Sequence, residues 1–341
     1  MGKLKQNIMN IMVLFVLLVN ISFSDNASSG WITLIKESNE LHSNDEYNES
    51  VALAEEALKI AIENTNANDA DIIVSLNNLA SLYDALAQYN TSENLYSKAL
   101  NILEKTLNVD QLLIATILNN YAVHYTLLGK YEDAEKLYLR VLKIRENKLG
   151  INSVEVAVIL NNLAEIYRAQ KLYDKVDISY HKALSILENK FGKNHLKLET
   201  TLTNLTSLYL SQEKIVLADK LCKRTLEVLK STVGLEHYKA SRILGIQARI
   251  FEKQDKYKDA ENSYFQSLKI LKKTLGLKHP NTAIALNNLA VFYINRGDKY
   301  KAKKIMKQAL NILEQTLGLT HPDTIQMVNV FNYYYGSLSN D

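Results

Sequence analysis

Two prolines and eleven glycines in 341 residues leave few points at which the backbone is made to turn. A chain so poor in breakers runs as long helices joined by short turns. The single cysteine, Cys222, excludes an internal disulfide framework and a cysteine-built zinc site. Charge of one sign is also lacking: 40 Lys and Arg face 37 Asp and Glu, with no sustained basic run, so nucleic acid is not an expected partner. A glycine-rich phosphate loop, H-E-x-x-H, G-x-S-x-G and paired cysteines are all absent. The expectation is therefore no enzyme: no catalytic residue, no metal, no cofactor and no small-molecule substrate.

Long hydrophobic runs are missing too. The apolar stretch from Ile11 to Val19 is shorter than the roughly 20 residues a helix needs to span a bilayer. It follows Lys3 and Lys5 and precedes Ser22-Phe23-Ser24 and the polar DNASSG, which is the layout of a signal peptide over residues 1–24 with cleavage after Ser24. A short linker, 25–30, follows. Export to the periplasm or beyond is expected; retention of 8–23 as a membrane anchor is the alternative, and only then would a membrane be a partner.

What the chain does have is a period. Leu76, Leu118, Leu160, Leu202, Leu244 and Leu286 lie 42 residues apart, and Leu34 and Val328 extend the series without a gap. Four positions after each anchor comes a small residue, Ser38, Ala80, Ala122, Ala164, Thr206, Ala248 or Ala290, and three further on a large one such as Tyr83, Tyr125 or Tyr167. Anchor, +3, +4 and +7 form one apolar helical stripe. A second stripe, with Tyr96, Tyr138, Tyr180 and Tyr264 and a leucine column from Leu58 to Leu310, makes each unit a helix pair. Gly150, Gly192, Gly234, Gly276 and Gly318 mark the turns between pairs, and Pro280 and Pro322 suit a first helical turn.

Two stretches, LNNLAEIYRAQKLYDKVDISYHKALSILENKFG from Leu160 and LGLKHPNTAIALNNLAVFYINRGD from Leu275, carry a resemblance to the tetratricopeptide repeat, in the longer form similar to the repeats of kinesin light chain. The resemblance covers residues 31–336 and implies an all-α, right-handed superhelical solenoid of helix-turn-helix repeats: seven helix pairs, a C-terminal capping helix and a tail at 337–341. It also implies that first helices line a concave groove. The repeats depart from the pattern at Ile35-Lys36, Thr203, Gly245-Ile246 and Lys299.

Repeat columns absorb residues that would otherwise invite chemistry. Cys222 shares the column of Tyr96 and Tyr138 and reads as an inert core thiol. His195, His237, His279 and His321 are themselves 42 apart, so stacking at about 10 Å makes them a row rather than a metal cluster. The candidate binding residues are the mid-helix pairs Asn77-Asn78, Asn119-Asn120, Asn161-Asn162 and Asn287-Asn288, with Asn204. Asparagine weakens a helix, yet an amide both donates and accepts and can pair with any peptide backbone. Related repeats clamp bound peptide in this way. The same amides could equally bind one another and serve the repeat geometry, and the sequence leaves both roles open. Arg168, Arg242 and Arg249 at groove positions could receive an acidic group, with Glu165 and Glu252 nearby as possible neutralisers. The expected function is a non-enzymatic scaffold that holds an extended protein or peptide segment in the groove. A membrane-anchored envelope-assembly adaptor and a secreted effector binding host proteins are the alternatives.

Overall fold

The computed structural model describes residues 29–43, 47–63, 69–106 and 110–336. The expected signal segment 1–24, the linker as far as residue 28 and the tail 337–341 lie outside them. Among the described residues there are fifteen α-helices and no strand. No helix there is long and apolar enough to cross a membrane.

The chain divides into two compact units, one ending at Ile186 and one beginning at Leu187. The first holds helix pairs α1 (Ser29–Ser43) and α2 (Tyr47–Glu63), α3 (Asp69–Ala85) and α4 (Tyr89–Lys105), α5 (Gln111–Leu127) and α6 (Tyr131–Leu149), and α7 (Val154–Ala169) with most of α8 (Tyr173–Phe191). Helix α1 begins two residues inside the expected linker. The second unit contains α9 (Glu199–Ser211) and α10 (Ile215–Thr232), α11 (Lys239–Lys253) and α12 (Tyr257–Thr274), α13 (Pro280–Asn295) and α14 (Lys299–Thr316), and the unpaired α15 (Pro322–Tyr335). A 3-10 turn, Leu196–Leu198, leads into α9.

Burial follows the columns. The six leucine anchors from Leu76 to Leu286 and all seven small residues from Ser38 to Ala290 are buried. A residue without bulk there lets one helix lie close on the next; a leucine at Ala164 would overpack the contact by about 1–3 kcal/mol. Cys222 is enclosed, and burial pushes its thiol up to about 12, which leaves it protonated and unreactive. Tyr300 does not replace the turn tyrosine that Lys299 displaces: it is 86% exposed.

Turns repeat as faithfully as helices. Within each pair from α3 onward the chain reverses through a residue of positive φ, at Ala87, Gly129, Lys171, Glu213, Asp255 and Gly297, again 42 apart. Between pairs, Gly150 caps α6 at φ 87° and ψ 153°, a region essentially closed to residues with a side chain. The four histidines of the row share one bond: Nδ1 of His195, His237, His279 and His321 accepts the backbone N–H two residues on, from Lys197, Lys239, Asn281 and Asp323, which makes His195, His279 and His321 helix caps and sets His237 one residue before the cap of α11.

Ion pairs between successive repeats share one polarity. In the first unit Lys130 reaches Glu93, Lys175 reaches Glu135 and Lys182 reaches Glu146, at 3.3, 3.6 and 3.5 Å. In the second, Arg224 reaches Glu188, Lys253 reaches Glu213, Lys273 reaches Glu236 and Lys301 reaches Glu261. In each pair the acid comes earlier in the chain and the base later.

Candidate functional site

The central segments of α3, α5 and α7 are enclosed on every side. Ile73 to Leu82 in α3, Ile117 to His124 in α5 and Ile159 to Tyr167 in α7 are buried without a break, polar residues included. Eight of the nine candidate asparagines are therefore buried, and only Asn288 is half-exposed. Their amides meet one another. Asn162 Nδ2 donates to Asn119 Oδ1 at 3.4 Å, Asn119 Nδ2 to Asn120 Oδ1 at 3.0 Å, Asn120 Nδ2 to Asn77 Oδ1 at 3.2 Å, and Asn77 Nδ2 to Asn78 Oδ1 at 3.5 Å. This relay crosses three repeats: the two donors between repeats point toward the chain start, and the two within a pair point to the following residue. Asn161 instead donates to Ala157 O in its own helix at 3.0 Å.

The candidate arginines have separate surroundings. Arg168 is half-buried and gives Glu165 Oε2 two hydrogen bonds, from Nη2 at 2.7 Å and Nε at 3.1 Å, while Tyr180 donates to the other Glu165 oxygen. Glu165 is thus the neutraliser the sequence allowed for. In the second unit Arg242 Nη2 donates to Asn204 Oδ1 at 2.7 Å. Burial lowers the pKa of Arg249, with Tyr264 and Glu252 pulling it back. Glu252 is itself raised, first by burial, and its Oε1 accepts the hydroxyl of Tyr264 at 2.6 Å. Gly245 sits between the two arginines, and a Cβ added there would meet no heavy atom within 4 Å. In α13, Asn287 is buried while Ile284, Asn288, Val291 and Ile294 are half-buried. Helices α11 and α13 share one apolar core through Ala248, Leu286 and Leu289.

One polar cluster escaped the column search. His124 Nδ1 lies 2.7 Å from Asp84 Oδ1 and 3.0 Å from Ser92 Oγ, and Ser92 Oγ donates to the same aspartate oxygen at 2.5 Å. Both partners share one ring nitrogen. A nucleophilic triad needs the hydroxyl on Nε2 and the carboxylate on Nδ1, whereas Nε2 of His124 is buried with no partner among the described residues. The geometry ties α3, α4 and α5 together inside a ring of Tyr89, Tyr96, Tyr121 and Tyr125 and lacks the order needed for acyl transfer. A visible signal was there: from the second repeat to the seventh, every other repeat has Leu, Ile or Phe in the His124 column.

Elsewhere, a shallow depression of about 420 Å³ is lined by Asn90, Glu93, Asn94, Ser97, Lys98 and Asn101, all from the outer face of α4. No group of three or more His, Cys, Asp or Glu able to hold a metal occurs among the described residues.

Solved structures share this architecture. Aspartyl phosphate phosphatase F from Bacillus subtilis aligns over 85% of this chain and 71% of its own at 13% identity, with a TM-score of 0.63. A Rap protein complexed with competence and sporulation factor aligns over 89% and 87% at 14% identity and a TM-score of 0.59. Kinesin light chain repeats from Podosopora anserina align over 61% and 98% at 19% identity and a TM-score of 0.47. At such identities the likeness is one of fold. No curated protein matches the sequence. The tetratricopeptide repeat model matches residues 41–105, 113–177, 155–231 and 240–315, most of the chain's length, and the chain belongs to the tetratricopeptide repeat family.

Proposed function

We propose that this chain is a non-enzymatic scaffold, exported by its N-terminal segment, that holds an extended segment of a protein partner. Tetratricopeptide repeats generally serve as scaffolds, and the Rap protein of the same fold was solved with a factor bound. The observation that carries the reading here is the face formed by α11 and α13. Arg242, Gly245 and Arg249 of one helix, with Ile284, Asn288, Val291 and Ile294 of the next, are half-buried and keep some exposed surface where the equivalent positions of α3 and α5 are largely closed. Basic and apolar side chains lie side by side there, and the Asn288 amide can serve a partner's backbone. The eight buried asparagines we assign to holding first helices in register, since a bound chain could reach them only by displacing packed neighbours.

Selection from a random peptide library tests this. Peptides retained by the wild-type chain should bind Arg249→Ala and Asn288→Ala about tenfold more weakly and bind Lys220→Ala, on the outer surface of α10, unchanged. A library that yields no binder, or binders weakened equally by Lys220→Ala, contradicts the proposal.

A further inference from the structure

We propose that Arg242, Gly245 and Arg249 form a receptor for a dianionic phosphoryl group, a proposal that rests on the scaffold reading for its place on the binding face. The sixth repeat is the one that carries arginine at both groove columns: the position of Arg242 is Val, Thr or Ile elsewhere from the second repeat to the seventh, and that of Arg249 is Ser, Val or Glu. The same repeat has glycine where the others from the second to the seventh have Asn or Thr. Glycine is the poorest helix former after proline, and a side chain begun at Gly245 would meet no neighbour within 4 Å, so its absence leaves open space on the helical face that carries Arg242 and Arg249. Positions i, i+3 and i+7 share one helical face, and both side chains are long enough to converge above the gap.

The charges around this gap are incompletely matched. Arg242 is held by one bond to Asn204, which fixes its direction and leaves further donors of its planar fork for an oxygen ligand. Arg249 is paired with its nearest acid only through longer-range attraction, because Glu252 gives its oxygen to Tyr264 and burial favours its neutral form. Two cations beside a sequestered acid suit a dianion. A phosphoryl group brings nearly two negative charges and three acceptor oxygens, whereas a single carboxylate would leave one guanidinium uncompensated. The source is either a phosphorylated side chain on the bound segment or free phosphate.

Thermal unfolding of the whole chain in sodium phosphate, sodium glutarate and sodium chloride at matched ionic strength provides the test. About 10 mM phosphate should raise Tm by about 3 °C over chloride, and glutarate should not. Gly245→Glu places a carboxylate in the open space without entering the core; it should melt no lower than wild type in chloride and lose the phosphate response. Arg249→Lys should fold and respond less. A phosphoserine peptide that shifts Tm more than phosphate identifies the bound segment as the source, and an equal shift identifies the free anion. No phosphate response, an equal response to glutarate, or a response kept in Gly245→Glu overturns the proposal. Unphosphorylated library peptides would still bind in that event, so this failure is distinct from failure of the scaffold reading.

Discussion

At Asn120 two costs compete. An asparagine in mid-helix gives up about 0.6 kcal/mol relative to alanine, while leaving buried amide partners unsatisfied costs about 1–3 kcal/mol. Asn120 accepts from Asn119 and donates to Asn77 inside the core, so the second cost wins. Asn120→Ala should lower stability by about 2 kcal/mol, whereas Asn288→Ala, at a half-exposed position, should change it by less than about 0.5 kcal/mol. Urea unfolding of the two variants distinguishes them; equal small shifts would remove the relay from the list of stabilising features. The asparagine pairs were legible in the sequence because they keep the 42-residue period. Their enclosure was not. Whether the position after the anchor meets solvent depends on how closely the next first helix lies against it, and no periodicity within one helix encodes that distance.

Among the elements, the best-read were those whose punctuation is local. The glycine caps and the small-residue column stand where the repeat pattern places them. The histidine row was seen as a row but not as a set of caps, because histidine is not a preferred capping residue and the bond involves Nδ1, which sequence cannot orient. His124 stood out in its column, but its pairing with Asp84 did not, because the two are 40 residues apart and occupy different columns. Capping by histidine makes a helix end sensitive to acid, since a protonated ring cannot accept. At His321 burial lowers the pKa, with Asp323 opposing more weakly. A lowered folded-state pKa means that its contribution is fully present above the unfolded value of about 6.5 and is lost as pH falls below it. His321→Asn keeps a side-chain acceptor without the titration. Urea midpoints between pH 7.5 and 5.5 should fall less steeply in that variant than in wild type, and parallel slopes would exclude a role for the ring.

For the whole molecule, the shared polarity of the cross-repeat ion pairs among the described residues gives the junctions from the second repeat to the seventh a direction. These pairs are largely exposed, so each is weak and screened by salt. They favour the native order of stacking over its reverse, because reversed neighbours would set acid against acid. The bulk of the stability comes instead from the apolar columns, which is why the fold was readable from spacing alone. Function is read from what those columns leave uncovered, and that differs between repeats: a closed amide relay through α3, α5 and α7, an open basic and apolar face on α11 and α13. The most direct measurement is photo-crosslinking of a library-selected peptide to the chain carrying a benzophenone side chain in place of Gly245 or of Lys220. Crosslinking from position 245 and none from 220 is the expected result; crosslinking from 220 alone would contradict the assignment of the binding face.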